Sequence, residues 1–357
     1  MNGQPLLIKA RSRTGGGGVY LLNENADQLR QRLQGIGLSD SAINAAWPTW
    51  WSADADASGS AKAELRFSLS RKLGLDPHSL IEDAAEPRFV WRDAARFKHL
   101  QGESAIEQAG ITSFGVALAS VLLSGVTSWR PFVGMTAQEM RTALIDGRPF
   151  VELSDLLAIG WSLGIPIVHL RVFPWHRKRM AAMALQLGNR SAILLGRDAR
   201  YPPQIAFYVA HELAHLALGH VESGQTIIDL ETPGLADAES DPEENAADRY
   251  ALELLTGRDS PVVVSRTGSG GARSLADAAL RASNELRIEP GTLAMCFGYS
   301  TNQWPVAHAA LKYIYSAPKS VWREVNSVAR EQLELDRIPD DAQAYLEAVL
   351  GPRTAAP

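Results

Sequence analysis

The chain has 357 residues, 46% hydrophobic and 21% charged, an ordinary balance for a soluble globular protein and enough length for two domains or one with extensions. Its 35 basic and 40 acidic residues leave a formal charge of −5, which argues against a chain built mainly to follow a nucleic-acid backbone, though not against a small basic patch. Cys296 is the single cysteine, so an internal disulfide and a cysteine-based zinc cluster are both excluded, and a reducing, cytoplasmic location is expected.

Taken in chain order, the first residues lack the apolar core of a secretory signal and carry a glycine run at 15–18. A small, polar stretch at 52–60 reads as a linker or long loop. Between 61 and 100 the pattern is helical: Leu65, Leu69 and Leu73 recur every fourth residue, Gly74 stops the helix, and Asp76-Pro77 opens a second one with Leu80 and Ile81 inward. Residues 109–126 carry no charge and reach the lower length limit of a membrane span. Gly110, Gly115 and Gly125 dilute that run and no aromatic belt frames it, so a buried helix is expected, with no membrane contact.

From residue 150 the character changes. A helix at 153–163, a strand at 165–170 and a strand pair at 182–187 and 192–195 around Gly188-Asn189-Arg190 are expected. Long helices follow at 204–218 and 243–255, then a glycine-rich loop at 267–271, then helices at 276–286, 304–315, 322–335 and 342–350. The expected organisation is an arm and linker over 1–58, an all-helical domain over 59–128, an α+β catalytic domain over 129–316 and a helical tail over 317–357. Trp47, Trp50, Trp51 and Trp91 are expected to fill helical cores, and His78, His99, His169, His176 and His308 lack metal-ligand spacing to one another.

The strongest chemical signal is His211-Glu212-Leu213-Ala214-His215. Two histidines four apart on a helix lie on one face, so both imidazoles can reach a single metal ion. The apolar, helix-compatible residues Ile205, Ala206, Phe207, Val209 and Ala210 before them make the helix credible. Glu212, one position on, would face an open coordination site and serve as general base toward a water there. A catalytic zinc needs three protein ligands and one open position. His220 is misplaced for a third ligand of the metzincin spacing and reads instead as a cation ending the helix. Glu244 and Asp248, four apart on the next helix, are the better source: one would hold the ion and the other would hydrogen-bond the free nitrogen of a ligand histidine.

The run IAFYVAHELAHLALGH followed by EENAADRYALELL resembles the ImmA/IrrE metallopeptidase family, over roughly residues 150–255 and more loosely to about 315. The resemblance implies a zincin-like, minimal gluzincin fold with one catalytic Zn²⁺ ion, Glu244 as third ligand beside His211 and His215, Glu212 as catalytic base, and Asp248 at the family's Asn/Asp position. It also implies an endopeptidase that cleaves helix-turn-helix repressors and so releases transcription under stress. Departures are Ala214 for the usual glycine, Tyr250 for phenylalanine, and Leu255-Thr256-Gly257 at the end of the ligand helix.

The segment Leu69 to Leu80 resembles the two-helix core of XRE-type domains, with Arg66, Arg71 and Lys72 adding positive charge and Glu82 and Asp83 opposing it. Residues 61–85 are therefore open to DNA contact or to packing and repressor docking. The alternative from another class is a non-catalytic, zinc-containing DNA-binding regulator or antitoxin-like protein, in which Glu212 would have no task.

Overall fold

The computed structural model describes residues 23–82, 85–91, 95–98, 105–176, 180–221, 226–230, 241–263 and 271–353; the glycine run at 15–18, Asp83, His99 and positions 267–270 lie outside them. The described residues form an α+β structure of fourteen α-helices and one mixed five-stranded sheet. The strands are β1 (Ala95–Lys98), β2 (Ile167–His169), β3 (Met180–Leu187), β4 (Arg190–Leu195) and β5 (Thr226–Leu230), in the spatial order β1-β5-β3-β4-β2. β3 pairs antiparallel with β4 and β5, while β1 joins β5 and β2 joins β4 in parallel. The β3–β4 register ends at Leu187↔Arg190, and the tight turn between them needs Gly188 at φ +64°, a region glycine enters without steric cost.

Successive strand residues point to opposite faces, and each face has its own core. Val168, Met183, Leu185, Leu194 and Ile228 belong to one apolar cluster; Ile167, Ala182, Ala184, Ile193, Leu195 and Ile227 belong to the other. Both faces are covered, which is why these strands read as unbroken apolar runs rather than as alternation.

The first face carries α1 (Ala26–Gly35), α2 (Asp40–Ala46), α3 (Gly59–Leu73), α4 (Pro77–Ile81), α5 (Ala105–Ser124) and, from the far end of the chain, α14 (Asp340–Leu350). α5 is long and apolar enough to cross a membrane, and 67% of that apolar stretch is buried within the fold. Its glycines have a packing role: a Cβ at Gly115 would come within 2.5 Å of Met183 Sδ, and one at Gly110 would overlap the Trp175 ring. Residues 52–60, expected as linker, instead form a short 3₁₀ turn (Ala53–Ala57) and the start of α3, where Ser58 caps Ala61 N–H. Trp47, Trp51 and Trp91 pack against this core, and Trp50 stays exposed.

Of Arg66, Arg71 and Lys72, all on α3, two are internal. The Arg66 side chain is 1% exposed, donates to Leu80 O at 3.0 Å and pairs with Glu24 at 2.9 Å. Lys72 Nζ donates to Ala46 O at 3.2 Å and pairs with Asp341 of α14 at 3.3 Å. Arg71 is exposed and pairs with Glu64 at 3.2 Å. α4 is five residues long.

The second face carries α6 (Ala137–Leu144), α7 (Leu153–Ser162), α8 (Pro202–Ala217), α9 (Pro242–Thr256) and α13 (Val321–Gln332). α10 (Ala272–Leu286), α11 (Pro290–Thr301) and α12 (Trp304–Ile314) pack on one another around small cores of their own, and α11 touches α8. His169 is fully buried at the end of β2, its ring nitrogens 3.1 Å from Leu170 O and 2.9 Å from Arg197 O, and Asn326 of α13 brackets its backbone.

Candidate metal centre

α8 starts where Pro202 and Pro203 occupy its first turn, the one place in a helix where a missing N–H costs nothing. Its apolar residues Ile205, Val209 and Leu213 are fully buried against the sheet. It ends at Gly219 with φ +74°; Gly219 N–H donates to Leu216 O at 3.3 Å and His220 N–H donates to His215 O at 2.9 Å. This double return is a Schellman motif.

α9 begins at Asp241, whose carboxylate accepts from Glu243 N–H, and Pro242 again fills the first position. It ends at Gly257, φ +79°, and the buried Arg141 of α6 donates to Leu254 O at 2.9 Å, closing its carboxyl end. Small buried residues lie on both helices, Ala206, Ala210 and Ala214 on α8 and Ala247 and Ala251 on α9, and they let the two approach closely.

That approach brings three side chains to one point. His211 Nε2 and His215 Nε2 are 3.0 Å apart, Glu244 Oε2 is 3.2 Å from the first, and Glu244 Oε1 is 3.4 Å from the second. All three residues are buried and together could hold a metal ion. Burial by itself would raise the Glu244 carboxyl pKa, but hydrogen bonds and charge from His211 and His215 outweigh it and hold the group well below the usual carboxylate range. The expected residues thus converge from two helices.

The groups around the triad set its chemistry. Asp248 Oδ1, one helical turn after Glu244, lies 2.9 Å from His211 Nδ1. A ring proton on Nδ1, facing that carboxylate, would leave His211 Nε2 as a lone-pair donor toward the triad centre. Glu212 is fully buried, next to His211 in the same turn of α8.

Two neighbours were not legible as such in the sequence. His220 Nδ1 lies 3.0 Å from His215 Nδ1, so the residue read as a helix-ending cation touches a triad member directly. The Schellman spacing, with His215 three positions before the helix end and His220 just past the glycine, was the signal available. Tyr299 of α11 is near enough to Asp248 that, after burial, the carboxylate charge also raises its pKa. Comparison of the chain with protein-family models, with curated proteins and with solved structures returns no match in any of the three.

Proposed function

We propose that the chain is a zinc-dependent endopeptidase of the ImmA/IrrE type, with a zincin-like catalytic core, working in the cytoplasm on a helix-turn-helix transcriptional repressor. The observation that carries this reading is the convergence of His211 Nε2, His215 Nε2 and the Glu244 carboxylate, with separations of 3.0, 3.2 and 3.4 Å. A tetrahedral ion with bonds of about 2.0–2.2 Å spaces its ligand atoms about 3.3–3.6 Å apart, so the triad needs only tenths of an ångström of adjustment. Two imidazoles and one carboxylate form a donor set suited to zinc, and a fourth position remains for water.

When bound, zinc would polarise the scissile carbonyl and make water acidic enough to react near neutral pH. The residues of the chain do the rest. His211, His215 and Glu244 hold the ion, and Asp248 holds the His211 tautomer that leaves Nε2 free to bind. Glu212 takes the proton of the attacking water and passes it to the nitrogen of the departing amine.

The DNA-reading alternative draws on cations at 61–85, and there Arg66 and Lys72 are committed to Leu80, Glu24, Ala46 and Asp341 inside the fold. Packing or protein docking is the better use of that segment. The test is to look for a helix-turn-helix repressor encoded beside the gene and to mix it with the purified chain, with and without a metal chelator. Repressor fragments that vanish with chelator are expected. An intact repressor under both conditions, with zinc present, would remove the endopeptidase reading.

A further inference from the structure

Both triad imidazoles need their second nitrogen protonated, because a neutral imidazole that binds a metal through Nε2 carries its hydrogen on Nδ1. For His211 the acceptor of that hydrogen is Asp248 Oδ1, at 2.9 Å. For His215 the atom at hydrogen-bond distance is His220 Nδ1, at 3.0 Å. A nitrogen facing an N–H can only accept, which leaves His220 with its own hydrogen on Nε2. The two rings meet edge to face, with centroids 5.2 Å apart and planes at 64°.

The backbone enforces this meeting. In a Schellman motif the residue just past the glycine folds back over the residue three from the helix end, and a side-chain contact between the two is a recurring feature. Here those residues are His220 and His215, joined by the 2.9 Å bond from His220 N–H to His215 O. Gly219, at φ +74°, makes the turn. The contact is therefore built into the end of α8 and does not depend on another element arriving.

We propose that His220 is a positioning residue, the acceptor that keeps His215 in its Nδ1–H tautomer and aims Nε2 at the ion. The proposal rests on the reading that this centre holds zinc. It gives the two histidine ligands unlike supports: a carboxylate behind His211 and an imidazole nitrogen behind His215.

The test compares the full chain with His220→Phe, which keeps an aromatic ring but no acceptor, and His220→Asn, whose side-chain oxygen can take the place of Nδ1. Zinc dissociation constants would be measured by competition with a chromogenic chelator, after the metal-free proteins are matched by circular dichroism and thermal midpoint. Loss of a partner behind a ligand histidine weakens metal binding about 10–100-fold, so His220→Phe should fall in that range while His220→Asn stays within about threefold of the parent. If His220→Phe fails to fold, His220→Ala takes its place in the same comparison. Parent-like affinity without the acceptor, or equal weakening in the asparagine variant, would overturn the role given to His220. A parent that binds no zinc would instead sink the metal reading on which the proposal stands.

Discussion

Glu212 follows His211 in the chain and Asp248 contacts the His211 ring, and the two are expected to fail in different ways. Glu212→Gln keeps the volume and removes the base, so repressor cleavage should drop by about 10²–10⁴-fold, the range for a positioned proton-transfer group, with zinc content unchanged after dialysis. Cleavage at the parent rate would mean that some other group takes the proton. Asp248→Ala removes the carboxylate 2.9 Å from His211 Nδ1, and about 10–100-fold weaker zinc binding is expected by chelator competition. His169 gives a pH dependence of stability away from the site. Burial, opposed by the hydrogen bond with Arg197 O, lowers its pKa below 6.5, so the unfolded chain takes up the proton first. Its stabilising share is complete above about 6.5 and is lost as pH falls from there through the lowered folded-state value; the urea midpoint of the parent should drop more between about pH 7.5 and 5.5 than that of His169→Asn.

At the level of elements, the site depends on how closely α8 and α9 approach. Ala247 is fully buried on α9, and Ala247→Leu should force the helices apart, costing about 1–3 kcal/mol of stability and weakening zinc binding although no ligand is altered. Calorimetry and chelator competition on one preparation would show both effects; a variant with lowered stability and parent-like zinc affinity would mean the triad does not rely on that spacing. Local patterns made much of this legible in the sequence. His211 and His215 share a face because four residues make about one turn, and Glu244 and Asp248 follow the same rule. That the two faces meet was not a local property, since it depends on the sheet beneath α8 and on Arg141 closing α9. α11 went unread because Gly291 and Gly298 interrupt its pattern, although Glu289-Pro290 marks its start by accepting from Thr292 N–H. β5 carries an apolar pair, Ile227-Ile228, too short to announce a strand alone.

On the scale of the whole molecule, the first and last helices among the described residues share one core. Leu29 and Leu33 of α1 and Tyr345, Leu346 and Val349 of α14 belong to the same buried cluster as the sheet residues Met183 and Leu194. Tyr345 OH also donates to Lys72 O at 2.8 Å, and Lys72 pairs with Asp341. Boundaries drawn from composition at 58, 128 and 316 reflect changes of pattern along the chain, and pattern carries no information on which segments later share a core. Leu346→Ala should cost about 2–5 kcal/mol and speed amide exchange in α1 and α3 as well as in α14. Faster exchange in α14 alone would show that the carboxyl-terminal helix docks without supporting the amino-terminal ones.

Two helices bring three donor atoms to one point, an arrangement proposed to hold a single ion. The most direct measurement is a crystal structure of the zinc-loaded chain with diffraction recorded at the zinc absorption edge. One anomalous peak is expected, about 2.0–2.2 Å from His211 Nε2, His215 Nε2 and a Glu244 oxygen. A peak elsewhere, or a Glu244 carboxylate turned away with no other side chain in its place, would contradict it.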